Sequence, residues 1–175
     1  MAAGQGPSVT DLKADQPIGE PRRRVKPPKA SIPAAANWLG ALGALPFVML
    51  AVSGTVLEPA GQRTALVALV AYGAVILSFL GGVHWGLAIA GFGPPEAGTA
   101  MVRRLSFSVV PALVGWSALL LPMSTGFIVL ASAFALLLIF DFAASRFGEA
   151  PSWYPQLRWP LTAVVVASLS LGLLA

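Results

Sequence analysis

From residue 36 onward the chain is a succession of five apolar stretches, near residues 36–57, 64–91, 105–121, 125–144 and 160–175, joined by short links that hold most of the charge. A helix needs about 20 largely apolar residues to cross a bilayer. In lipid every backbone N–H and C=O must be satisfied within the spanning structure, which restricts such segments to helices. The pattern predicts an all-α polytopic bundle of about five transmembrane helices. A soluble helical bundle would need a polar stripe on each helix, and none of the five shows one. Composition agrees: 57% of residues are hydrophobic and 10% charged, against about 45–50% and about 25% for a soluble domain.

The first 35 residues differ in kind. They hold six prolines (Pro7, Pro17, Pro21, Pro27, Pro28, Pro33), few large apolar residues and the run Arg22-Arg23-Arg24-Val25-Lys26. Such a segment buries too little surface to offset its ordering entropy, so residues 1–35 read as a disordered basic tail ahead of a transmembrane domain over 36–175. The tail has no apolar core of the signal-peptide kind, and Asp11, Asp15 and Glu20 interrupt any mitochondrial presequence.

Orientation follows from the basic residues. With the tail inside, Lys13, Arg22, Arg23, Arg24, Lys26, Lys29, Arg103, Arg104, Arg146 and Arg158 lie on the cytoplasmic side, and Arg63 alone on the other. That asymmetry is the positive-inside signature, and it puts the C-terminus across the membrane from the tail. The net charge of +4 is therefore a membrane signal, and no nucleic-acid partner is expected.

Several chemistries are excluded at the outset. There are no cysteines, hence no thiolate metal site or cysteine nucleophile. A single histidine, His84, cannot form a bis-histidine haem or His-rich metal site within one chain. No nucleotide loop, zinc signature or Ser–His–Asp arrangement is present, so no catalytic set, metal or cofactor is read.

Within the second stretch Ala74, Ser78, Gly82, Gly86 and Ala90 recur every four residues. Small residues let membrane helices approach closely, so this row is a packing stripe, within the chain or between two copies. Ionisable residues in spans are functional candidates because their burial must be offset by partners. Here these are His84 and Asp141, with Arg104 and Arg158 at the same membrane end. His84–Asp141 or Arg104–Asp141 is the expected pair. Trp153, Tyr154 and Trp159 lie between Arg146 and Arg158 or just beyond it, and read as interfacial aromatics of a loop on the cytoplasmic surface. Pro160 is expected in the first turn of the fifth helix. Pro46 and Pro111 fall inside the first and third.

These residues carry a resemblance. Tyr72–Gly86, with its run Leu80-Gly81-Gly82-Val83-His84-Trp85-Gly86, then Ser108-Val109-Val110-Pro111 with Trp116, Asp141, Trp153-Tyr154, Leu157-Arg158 and Leu161-Thr162, resemble the transmembrane protein 69 family. That is a multi-pass membrane domain of unknown function found in bacteria and in mitochondria-bearing eukaryotes. The resemblance covers roughly residues 36–175 and implies a helical multi-span fold in a bacterial inner membrane, with no activity attached. The residues themselves leave three roles open. The first is an accessory or structural factor associating with other membrane proteins or with a second copy. A small transporter with an inner-half polar site and an intramembrane lipid- or quinone-acting enzyme are the others.

Overall fold

The computed structural model describes residues 31–93 and 98–175. Most of the expected tail, up to residue 30, lies outside the described residues. Within them the chain forms five helices: α1 Ala34–Val56, α2 Pro59–Ile89, α3 Thr99–Ala118, α4 Met123–Arg146 and α5 Tyr154–Leu174. Four of these are long and apolar enough to cross a membrane. The exception is α3, whose first turns carry Arg103 and Arg104. Its 20 residues still reach about 30 Å at 1.5 Å per residue.

Short links force consecutive helices to run antiparallel, and contacts down the bundle agree. Gly54 meets Leu66 across α1–α2, while Ala74 faces Gly115 across α2–α3. Gly126 lies against the Ala118 carbonyl across α3–α4. At the far end the Gln62 side chain donates to the Ala175 carbonyl (3.0 Å), joining the start of α2 to the end of α5. The core is a column of Phe47, Leu69, Phe127, Leu130, Phe134 and Leu169. Phe47 stacks obliquely on Tyr72 (4.9 Å) and edge-on to Phe134 (6.0 Å). The outer surface carries exposed large hydrophobics on every helix, among them Leu42, Phe79, Trp116, Leu136 and Leu171. With lipid as solvent such a surface needs no cover.

Proline explains most of the boundaries. Pro59 opens α2 and Pro155 stands in the first turn of α5, where a missing N–H costs no helical bond. α5 therefore begins six residues earlier than expected, and Pro160 lies inside it rather than in its first turn. The carbonyl that Pro160 leaves free belongs to Gln156, which is exposed at the bundle end. The fifth helix is 21 residues long, long and apolar enough to cross a membrane, where the sequence reading gave a span of about 16 residues over 160–175. α1 continues through Pro46. In the turn that Pro46 weakens, the Tyr72 hydroxyl donates to the Gly43 carbonyl (2.9 Å).

Candidate functional site

Asp141 is fully buried one and a half turns before the end of α4. Both carboxylate oxygens are occupied. His84 Nε2, from α2, lies 2.7 Å from Oδ1, and Arg158 Nε, from α5, donates to Oδ2 at 2.9 Å. One carboxylate thus ties three helices. His84 is wedged between the Phe140 ring (4.9 Å) and the Tyr154 ring (6.2 Å), both edge-on. Phe140 in turn stacks on Phe107 of α3 (4.9 Å). The pairing is required by the location, since a lone buried carboxylate is costly in low dielectric and two charge-assisted hydrogen bonds offset that cost.

Arg104 is elsewhere. It donates through Nη1 to the Phe92 carbonyl (2.6 Å) and sits 3.8 Å from Glu149. It joins the α2–α3 connection to the α4–α5 connection. Gly93 makes the approach possible: its φ of 107° suits glycine, and a Cβ there would lie 2.9 Å from Arg104 Nη1. Of the two expected pairs, His84–Asp141 is present and Arg104–Asp141 is not. The carboxylate's second partner is Arg158, which the early start of α5 makes a helical residue facing inward.

The same shift moves the aromatics. Tyr154 is a buried helical residue packed with Ala144 and Ala150, Trp153 is half-buried against it, and Trp159 is exposed. Tyr154 therefore faces the core instead of the headgroups. Tyr154, Arg158 and Thr162 follow one another at four-residue intervals on the inner face of α5. The Tyr154 hydroxyl, Arg158 Nη2 and Thr162 Oγ1 are buried without a hydrogen-bond partner in the protein. Sequence reading quoted Thr162 only for the family resemblance, gave Glu149 no role, and missed the inward face of Tyr154. The i, i+4, i+8 spacing was the available signal, but it has meaning only once residues 154–159 are helical.

The packing stripe divides. Ala74 is buried against α3, and Ser78 donates to the Ala74 carbonyl (2.8 Å). Gly82, Gly86 and Ala90 are exposed, and a Cβ on either glycine would meet nothing within 4 Å. The close α2–α3 approach is made instead by Gly81, whose Cβ position the Ser108 carbonyl already fills. Gly115 contributes from α3, where an added Cβ would lie 2.9 Å from the Ala74 carbonyl. No group of three or more His, Cys, Asp or Glu side chains placed to hold a metal occurs among the described residues.

A cavity of about 360 Å³ adjoins the buried triad. It lies between α1, α2 and α5, bounded by Gly43, Phe47, Phe79, Phe134, Tyr154 and Arg158 among others. Nearly all its wall is apolar, and Arg158 is the one charged residue among the described residues that lines it.

Taken together, an all-helical bundle with a lipid-compatible exterior and one internally neutralised ionic cluster defines a multi-pass membrane protein. The chain belongs to a family described as a protein of unknown function (DUF3429), whose model matches residues 32–174. It is similar to Transmembrane protein 69 of Xenopus tropicalis, with 38% identity over 139 residues. That match covers 78% of this chain but 53% of the relative, so the chain spans about half of that protein's length. No solved structure matches.

Proposed function

We propose that the protein is an accessory or structural factor of a bacterial inner membrane, with its basic tail in the cytoplasm, that associates with other membrane helices through the outer face of α2. The observation that carries this reading is the open pair Gly82 and Gly86. Glycine inside a helix costs about 1 kcal/mol relative to alanine. In membranes that cost is offset where a second helix packs closely. Among the described residues no helix of this chain uses the notch, which exposed Phe79 and Ile89 flank at either end. The cytoplasmic tail rests on the distribution of basic residues, and the bacterial setting on the family resemblance.

A transport role at His84 and Asp141 has less support. The buried ionisable side chains His84, Asp141 and Arg158 gather at one end of the bundle, and the carboxylate already accepts two bonds. The same saturation weighs against acid–base chemistry by the pair and fits a tie that holds α2, α4 and α5 together.

The test is chemical crosslinking in native membranes followed by affinity purification, for the wild type and a Gly82→Leu/Gly86→Leu variant. The wild type is expected to carry a defined crosslinked partner, another membrane protein or a second copy. The variant is expected to lose it while keeping its melting temperature. A wild type recovered only as a free monomer contradicts the proposal.

A further inference from the structure

Helices α3 and α4 stand apart between two contacts. Toward one end Gly126 lies against the Ala118 carbonyl, and toward the other the Phe107 ring stacks on Phe140. Along this gap runs a lipid-facing groove of about 680 Å³, from Phe107 and Ala143 to Val114 and Ile128. The stretch of α4 from Ile128 to Ala143 rises about 22 Å at 1.5 Å per residue, more than half of a hydrocarbon core about 30 Å thick. Among the described residues the lining is largely bulky, with Phe107, Val110, Leu136 and Ile139 and no glycine. Helices that pack closely in lipid use small residues, so these walls suit a flexible hydrocarbon chain better than another helix. Arg103 and Arg146 stand beyond one end of the groove. Arg103 precedes Phe107 by four residues and Arg146 follows Ala143 by three, so each continues a lining face of its helix by one turn. Phe107 and Phe140 mark a common level of this antiparallel pair, which sets Arg103 level with Ala144 and Arg146 about 3 Å further out. Both arginines are exposed, and among the described residues neither is paired with a carboxylate, since the ion pairs use Arg104 and Arg158.

Charge names the occupant. Two unpaired guanidinium groups on neighbouring helices at nearly one depth match a phosphate, which arginine binds through a fork of N–H donors. The groove leading away from them matches a hydrocarbon chain attached to that phosphate. A zwitterionic headgroup brings its own cation and leaves the arginines uncompensated, whereas a net-negative headgroup balances them. We infer that Arg103, Arg146 and the groove between α3 and α4 form a binding site for one anionic phospholipid. Its phosphate sits between the two arginines, and one acyl chain runs along the groove past Phe107, Leu136 and Ile128. The lipid thereby fills the gap that the two helices leave between them. The site is separate from the outer face of α2, and either proposal can fail alone.

The test is native mass spectrometry of the full-length protein released from nanodiscs of phosphatidylglycerol and phosphatidylcholine with the same acyl chains. One phosphatidylglycerol is expected to stay bound per chain, saturably. Its preference over phosphatidylcholine should be about 25-fold, roughly fivefold for each arginine at a membrane surface. Arg103→Gln/Arg146→Gln is expected to cut that preference to about twofold or less, with the melting temperature in lipid-free detergent retained. Arg22→Gln/Arg23→Gln removes the same charge from the tail and should change nothing, which separates a local site from general attraction. Ser132 is exposed and lines the groove, so Ser132→Phe should expel the lipid by filling the path of its chain. Excess inorganic phosphate should leave the lipid in place, because it has no chain to seat. Should either the arginine variant or Ser132→Phe fail to fold, the other decides. Equal retention of the two lipids, full retention in the arginine variant or in Ser132→Phe, equal loss in the tail variant, or displacement by phosphate overturns the inference.

Discussion

Asp141 shows at residue scale how this chain admits charge into an apolar body. Its two oxygens each take one donor, His84 from α2 and Arg158 from α5. Removing one member of such a buried set strands the others, which typically costs about 3–5 kcal/mol, whereas replacing both partners of an ion pair is far milder. Asp141→Leu is therefore expected to lower stability by about that amount, and Asp141→Leu/Arg158→Met to recover most of it, in a double-mutant cycle followed by thermal unfolding in detergent. Additive losses would show that the pair is not coupled. Thr162 gives the opposite expectation. Its buried hydroxyl has no partner, so Thr162→Val should leave the melting temperature unchanged or raised, because deleting an unsatisfied buried polar atom removes a desolvation penalty. His84 and Asp141 were legible in the sequence as rare ionisable residues inside apolar stretches. Arg158 as partner was not, because its inward aim depends on where α5 begins.

At the scale of elements, periodicity decided what could be read. The apolar stretches located all five helices, since a span-length run of apolar residues has no other stable form in lipid. Ends were harder, because a proline is equally at home in a first turn or, near a bundle end, just inside a helix. Pro155 rather than Pro160 opens α5, and hydropathy cannot register that choice because Gln156 and Arg158 interrupt the apolar residues there. The small-residue row illustrates a phase error. With 3.6 residues per turn, each four-residue step rotates about 40° further around the axis. A row that starts on the α3 seam at Ala74 has therefore left it by Gly82, and Gly81 takes the contact. The two glycines make opposite predictions. Gly115→Val places its Cβ 2.9 Å from the Ala74 carbonyl and should cost about 1–3 kcal/mol through overpacking of α2 against α3. Gly82→Leu meets open space and should leave the melting temperature of the isolated protein unchanged. Equal loss from both would contradict the seam described here.

The whole molecule sorts its chemistry by membrane side. His84, Asp141 and Arg158, the Arg104–Glu149 tie and the inner end of the cavity share the end of the bundle where α1, α3 and α5 begin. The opposite end holds Arg63 and the Gln62–Ala175 contact. This polarity rests on α4 and α5 both crossing the bilayer, and the absence of cysteine from the sequence makes the crossing directly measurable. Single cysteines at the exposed positions Ser124, Ser152 and Ala175 can be labelled with a membrane-impermeant maleimide in bacterial spheroplasts, before and after permeabilisation. Ser124→Cys and Ala175→Cys are expected to label in intact spheroplasts, and Ser152→Cys only once the membrane is opened. Labelling of Ser152→Cys on the same side as either of the others would contradict the account.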